Sequence, residues 1–240
     1  MKNLALEKGT AVLVTDEAER LYFTGFHSTF GYLVLSDRPV FFTDARYFAA
    51  AKARITGAEV RLSSELAAVG EELAAQRIAR LGLDETVTSV SLYRSVEALG
   101  LPLFDASAAL ADAMAVKSAE EISLIEASCR ITQDSLYAAL GAVREGIAER
   151  ELAAEIEYQM KKRGATKTSF DLIVAFGENA AVPHHETGDR KLGKNECVLT
   201  DIGCVYRGYC SDMTRTVFYG EPTEEFSSAY EAVLLSLIHI

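Results

Sequence analysis

Two aspartates, Asp201 and Asp212, are the residues best placed to do chemistry. They lie in the run Val198-Leu199-Thr200-Asp201-Ile202-Gly203-Cys204-Val205-Tyr206-Arg207-Gly208-Tyr209-Cys210-Ser211-Asp212-Met213-Thr214-Arg215-Thr216. Apolar strand-like stretches flank both, at 197–199 and 217–219, and Tyr206-Arg207-Gly208 sits midway. A simple hairpin centred on Tyr206-Arg207 pairs residues whose numbers add to 413. Asp201 then faces Asp212, and Cys210 faces Gly203. Side chains paired this way have β-carbons roughly 4.5–5.5 Å apart, and like charges so placed destabilise a sheet. A half-buried carboxylate pair therefore calls for a cation or a shared proton. The cation reading makes the pair half of a metal site; the plain alternative is two solvated carboxylates near a turn. A bulge would break the 413 register.

Pro183-His184-His185-Glu186 is the second feature. It follows a strand expected over 170–176 and a Gly177-Glu178-Asn179 turn. A histidine at a strand exit can ligate metal, shuttle a proton or polarise a carbonyl. Alone, the tetrapeptide reads equally as two surface histidines in a polar loop. His184 precedes Asp201 by 17 residues and Asp212 follows by 11, and the combination is more telling than either part. Thr214 lies two residues beyond Asp212, on the same strand face. Its hydroxyl can support a carboxylate or a substrate amine, or it is an ordinary strand threonine. His27 and His239 have no motif around them and read as solvated.

The elements that must position these groups form two blocks. Strands are expected at 11–15, 32–35 and 40–42, the last two joined by the turn Ser36-Asp37-Arg38-Pro39. Asp44 caps an alanine-rich helix that Gly57 ends. Asp44, Arg46 and Tyr47 read as a capping and ion-pair cluster. A strand follows at 60–62, then a helix opened by Ser64 with Leu66, Val69, Leu73 and Ala74 at helical spacing. A strand at 78–83, a helix at 91–99, an extended 101–104 and a helix at 106–114 complete an α/β layer. Val116-Lys117 is the expected junction, giving domains 1–116 and 117–240. Ser118-Ala119-Glu120-Glu121 is a capping box. Its helix carries Ile122, Ile125, Ala127, Ile131 and Leu136 and runs toward Gly141. Another helix spans 149–163, ended by Gly164, and strands dominate from Ser169.

The 240 residues suit one large domain or two ordinary ones. Apolar and charged fractions of 49% and 25% are those of a globular protein. The net charge of −11 divides as −4 over residues 1–116 and −7 over the rest. No basic stripe is present, which argues against nucleic acid as a partner. No apolar run reaches the length of a membrane span. The first residues lack the apolar core of a signal peptide. The four cysteines, without a C-x-x-C pair, read as reduced thiols in a cytoplasmic protein.

The run from Pro183-His184 through Leu199-Thr200-Asp201-Ile202-Gly203 and Gly208-Tyr209-Cys210-Ser211-Asp212-Met213-Thr214-Arg215-Thr216 to Gly220 resembles the Xaa-Pro peptidases (aminopeptidase P and prolidase) of the pita-bread metallopeptidases. Leu21-Tyr22-Phe23-Thr24-Gly25-Phe26 and Phe42-Thr43-Asp44-Ala45-Arg46-Tyr47 are similar to the creatinase-type N-terminal domain of the same enzymes. Lys117-Ser118-Ala119-Glu120-Glu121-Ile122 resembles the start of their catalytic domain. The resemblance implies an α/β creatinase-type N-terminal domain followed by an α+β pita-bread domain. It also implies two divalent ions (manganese, cobalt or zinc) that hold a hydroxide to attack the Xaa-Pro bond. Asp201 would then bind one metal and Asp212 bridge both. His184 would be the catalytic group donating to the developing charge, with Thr214 and His185 as substrate or secondary contacts. Proline-containing peptides would be the substrates, and a homodimer the full-length assembly.

The family's site has five protein ligands, and the other three (a histidine and two glutamates) come from strands well downstream of the aspartates. Glu221, Glu224, Glu225 and Glu231 belong to the turn and helix directly after the hairpin and do not match them; His239 lies in a helix-like segment. The pita-bread domain is thus expected to be incomplete and this 240-residue chain inactive alone, the full-length protein being a peptidase. The helix from Glu224 carries Phe226, Tyr230, Val233, Leu234, Leu237 and Ile238 on one face, with no partner in sight. Two other readings remain: a metal-free, creatinase-like amidine hydrolase, and a non-enzymatic pita-bread binding module.

Overall fold

The computed structural model describes Lys2 and residues 4–239. The chain divides into two compact units, Met1–Lys117 and Ser118–Ile240.

The first unit is built on a six-stranded sheet. Its strands are β1 (Thr10–Val14), β2 (Tyr32–Leu35), β3 (Val40–Thr43), β4 (Glu59–Leu62), β5 (Arg80–Leu83) and β6 (Leu103–Asp105), in the order β4-β3-β2-β1-β5-β6. The β1–β2 and β2–β3 pairs are antiparallel; β1–β5, β3–β4 and β5–β6 are parallel. Every residue of β1 is buried, as expected of a strand covered on both faces. Val12 and Val14 pack on one side with Phe23 of α1 (Glu17–Thr24), Ala51 of α2 (Ala45–Arg54) and Leu110 of α5 (Ser107–Ala115). Ala11 and Leu13 pack on the other with Val69 and Leu73 of α3 (Leu66–Ala75) and Val96 of α4 (Val90–Glu97). The period-2 alternation of strand side chains thus feeds two cores.

Local signals account for most of the helix starts. Asp44 accepts from the Arg46 amide and holds its guanidinium at 2.6 Å, while the Tyr47 hydroxyl meets Thr29 at 2.8 Å. These three residues are the capping and ion-pair cluster expected. α1 was not anticipated, although Asp16 caps it at 2.8 Å from the Ala18 amide and Gly25 ends it at φ 69. α3 begins at Leu66, so Ser64 does not open it; Glu65 occupies the cap position without a side-chain bond.

The second unit pairs α6 (Ala119–Leu140) and α7 (Glu149–Lys162) with two three-stranded sheets. The strands are β7 (Lys167–Thr168), β8 (Ile173–Phe176), β9 (Glu196–Ile202), β10 (Cys204–Tyr206), β11 (Tyr209–Cys210) and β12 (Met213–Tyr219). One sheet runs β11-β10-β7 and the other β12-β9-β8. β8 starts at Ile173 rather than Phe170. The core gathers Leu152, Ile156 and Met160 of α7 with Val174, Phe176, Val198, Ile202 and Cys204.

α6 has the expected capping box: Ser118 accepts from the Glu121 amide at 3.3 Å, and the Glu121 carboxylate accepts from the Ser118 amide at 2.9 Å. Its buried face is the expected one only in part. Leu136 is buried and Ile131 packs on the core, but Ile122 is exposed, and Ser128, Thr132, Ser135 and Ala139 are buried. Small hydroxyl side chains let the helix approach the hairpin closely while satisfying its polar atoms. α8 (Glu224–His239) leaves Tyr230, Val233, Leu234, Leu237 and Ile238 exposed, while Phe226 packs at a tilt against Phe218 with ring centroids 4.8 Å apart. Ile240 lies outside the described residues. All four cysteines are free, and among the described residues no helix is long and apolar enough to cross a membrane.

Candidate metal and peptide site

The two aspartates sit on one long hairpin, β9-β10 returning as β11-β12. The register differs from the expected one. Asp201 pairs with Thr214, Ile202 with Met213, Val205 with Cys210 and Tyr206 with Tyr209, so paired numbers add to 415. The cause is the turn. Arg207 and Gly208 have φ values of 49° and 89°, so these two left-handed residues form a two-residue loop of the kind that suits a hairpin's twist. The hairpin is therefore centred one residue later than Tyr206-Arg207. Asp201 does not face Asp212, and Cys210 faces Val205 rather than Gly203.

By the same count Asp212 falls opposite Gly203, in the break between the β9–β12 and β10–β11 ladders. Core-facing Val198, Thr200 and Ile202 alternate with Cys197, Leu199 and Asp201, which point to the other face and are half-buried. Asp212 is exposed rather than half-buried. The two carboxylates are therefore not held face to face on the ladder, and Asp212 is open to solvent.

Thr214 holds Asp201. Its hydroxyl donates to Asp201 Oδ1 at 2.6 Å, which orients the carboxylate and leaves Oδ2 with open lone pairs. Asp212 is positioned through its neighbour. Ser211 is buried, and its Oγ meets Thr132 Oγ1 at 2.7 Å and accepts from Ser128 Oγ at 3.1 Å and from the Cys204 amide at 3.1 Å. Ser169 Oγ donates to the Ser211 carbonyl at 2.8 Å. Gly203 is required here: a β-carbon would lie 2.1 Å from the Ser211 carbonyl oxygen and 2.2 Å from Ser169 Oγ. None of Ser128, Thr132, Ser169 or Ser211 was singled out from sequence. The only available signal was a polar stripe on α6 at helical spacing.

The histidines occupy the segment after β8, which begins with a 3-10 turn, Gly177–Ala181. His184 is exposed and left-handed, with φ 53. His185 is turned inward, its Nε2 2.9 Å from Glu149 Oε2. Glu149 is fully buried. Burial opposes its ionisation, but hydrogen bonds from His185, Asn179 and the Phe176 and Gly188 amides prevail and hold the carboxyl below its ordinary value. Sequence reading placed Glu149 only as a helix start. His27 sits on the surface 2.6 Å from Glu17, and His239 is exposed.

Asp201 and Asp212 carry hard oxygen donors of the kind that suit a divalent ion, Asp201 within β9 and Asp212 just ahead of β12. Among the described residues no group of three or more His, Cys, Asp or Glu side chains is close enough to hold a metal. The histidines therefore do not join the aspartates as ligands, and Glu221, Glu224, Glu225 and Glu231 do not complete the set.

Comparison with known proteins covers the chain in two parts. Residues 2–116 match the Creatinase/Prolidase N-terminal domain, and residues 123–240 match metallopeptidase family M24. A peptidase of Bacillus subtilis, YqhT, described as uncharacterised, is 32% identical over 250 residues, covering 100% of this chain and 71% of its own. The Xaa-Pro dipeptidase of Pyrococcus furiosus is 42% identical over 123 residues, 51% of this chain and 35% of that protein. Among solved structures, the X-Pro aminopeptidase of Thermotoga maritima superposes with a TM-score of 0.89 at 29% identity, over 94% of this chain and 67% of that one. The prolidase of Pyrococcus furiosus gives 0.84 at 29% identity, over 93% and 66%. The chain thus spans about two thirds of the length of these solved relatives.

Proposed function

Since this chain belongs to metallopeptidase family M24, with a creatinase/prolidase-type N-terminal domain ahead of the peptidase domain, we propose that it forms part of an enzyme that hydrolyses Xaa-Pro peptide bonds with two bound divalent ions. The observation that carries this reading is that Asp201 and Asp212 lie on the two arms of a single hairpin, with Asp201 oriented by Thr214. Bound ions would lower the pKa of a water and polarise the scissile carbonyl. Asp201 and Asp212 would hold them, and Thr214 would keep Oδ1 of Asp201 turned aside. His184, exposed on its loop, would donate to the oxygen that gains charge in the transition state. The 240-residue chain supplies two ligands of this reading, Asp201 and Asp212. The complete enzyme of this reading is a cytoplasmic homodimer using manganese, cobalt or zinc. A metal-free amidine hydrolase would leave these carboxylates without employment.

The test is hydrolysis of an Xaa-Pro dipeptide by a chain of the relatives' length that carries this segment, with Mn²⁺, Co²⁺ or Zn²⁺ supplied in turn. Asp201→Asn and Asp212→Asn should each lower kcat/KM by at least about a hundredfold, and chelation should abolish activity. Full activity in either variant would remove these residues from the site. Binding of Mn²⁺ to the 240-residue chain, followed by electron paramagnetic resonance, should weaken in both variants independently of turnover.

A further inference from the structure

Glu149 stands in the first turn of α7, fully buried. Its carboxylate accepts four hydrogen bonds, all from the segment that carries the histidines. Oε1 takes the Phe176 amide at 2.9 Å and Asn179 Nδ2 at 2.8 Å. Oε2 takes His185 Nε2 at 2.9 Å and the Gly188 amide at 3.1 Å. Two donors precede His184 in the chain and two follow it. The backbone adds to the closure: the Glu149 amide donates to the Arg190 carbonyl and the Arg150 amide to that of Gly188, each at 3.0 Å. Between these anchors His184 is held in the left-handed region, which disfavours a non-glycine residue by about 1–2 kcal/mol. A free loop would relax that conformation; a loop fastened on both sides keeps it.

We propose that Glu149 is a positioning residue: it fastens the 176–188 segment on both sides of His184 and so sets the backbone conformation from which His184 meets the substrate. The proposal rests on the peptidase reading. It also assigns the His185 ring. An ionised carboxylate only accepts, so His185 carries a proton on Nε2.

Two measurements test it. The first needs no activity and uses the 240-residue chain. Glu149→Gln sets an amide NH₂ against two of the four donors while keeping the volume. Long-range ¹H–¹⁵N spectra should show His185 as the Nε2–H form in the native chain and altered in the variant. Exchange of the Phe176 or Gly188 amide should speed up by about tenfold or more. Native protection and an unchanged His185 spectrum in the variant would overturn the proposal. If Glu149→Gln does not fold, His185→Asn removes one donor only and should still shift the His184 backbone signals; unchanged signals count against the proposal.

The second measurement is kinetic, in a chain of the relatives' length. Glu149→Gln should lower kcat by about 10–100-fold with KM changed less than about threefold. The double variant with His184→Ala should be no slower than His184→Ala alone, because both changes remove one contribution. Multiplicative losses would show that Glu149 acts apart from His184, and the proposal would fall. A native enzyme that does not hydrolyse Xaa-Pro peptides, with protection lost in Glu149→Gln, would overturn the peptidase reading and leave the anchoring in place. Hydrolysis with protection and kcat unchanged in Glu149→Gln would do the reverse.

Discussion

Glu19 and Glu149 are both buried carboxyl groups in the first turn of a helix, one in each unit, and their environments push them in opposite directions. Glu149 sits below its ordinary value, as described above. Glu19 is pushed from 4.5 up to about 8 by burial, by a hydrogen bond to Asp84 and by the charges of Asp84 and Asp16, with Arg20 opposing. A helix N-terminus favours negative charge at both sites, so the dipole does not separate them. Neighbouring donors do. Glu149 meets four N–H donors, whereas Glu19 meets another carboxylate. The two terminal nitrogens of the adjacent Arg20 guanidinium donate to the carbonyls of Thr15 and Ser28. Glu19 is thus mostly protonated at pH 7 and can donate to Asp84, which titrates below its ordinary value. Burial alone does not decide the charge of a carboxyl group; the count and sign of the groups facing it do.

The largest expected effect comes from removing the charged member of the comparison. Glu149→Ala strips the acceptor from four donors, two of them backbone amides, and should cost about 3–5 kcal/mol in urea denaturation of the second unit. The native carboxyl titrates below 4.5, so its contribution is complete above that pH and is lost as pH falls through the native value. The variant should therefore lose part of the acid-induced destabilisation. A cost under about 1 kcal/mol would erase the contrast with Glu19.

The Glu19 site should show the opposite sign. Its native pKa is raised, so its contribution is full below pH 4.5 and declines as pH climbs from 4.5 to about 8. Glu19→Gln is permanently neutral and still able to donate to Asp84. It should match the native protein within about 1 kcal/mol at pH 5 and hold that stability to pH 8, where the native chain has weakened. Equal stability of the native first unit at pH 5 and pH 8 would show Glu19 to be ionised throughout.

A neutral buried network supplies the smallest effect and the control. Thr132→Val removes one hydroxyl from the Ser128–Thr132–Ser211–Cys204 group and should cost about 1 kcal/mol, with no pH dependence between 4 and 8. A pH-dependent loss would mean that Cys204 or another titrating group is coupled to it.

Signals that act within a few residues were legible in the sequence. Asp44, Ser118 and Gly164 mark helix boundaries because caps and left-handed stops are local requirements. The two-domain order followed from the change of pattern near Lys117, and the candidate residues followed from the spacing of His184, Asp201 and Asp212. The pairing of the aspartates was not legible. Both Tyr206-Arg207 and Arg207-Gly208 lie at the hairpin's centre, and only the backbone conformation of Arg207 and Gly208 selects the 415 register. The buried face of α6 was missed in part for a related reason. Ile122 suggested an apolar contact that does not form, while the helix packs its hydroxyls on Cys204 and Ser211, more than seventy residues away.

While α1 and the start of α3 escaped it, the sequence by itself therefore determined the two-domain order, the helix boundaries at Asp44, Ser118 and Gly164 and the presence of a hairpin. These rest on short-range sterics and hydrogen bonding, which neighbouring residues carry. Tertiary structure decided which partner each polar group meets: Thr214 for Asp201, Ser211 and Thr132 behind Asp212, Glu149 for His185, Asp84 for Glu19. Those pairings set charge and orientation, and they come from chain segments that packing alone brings together.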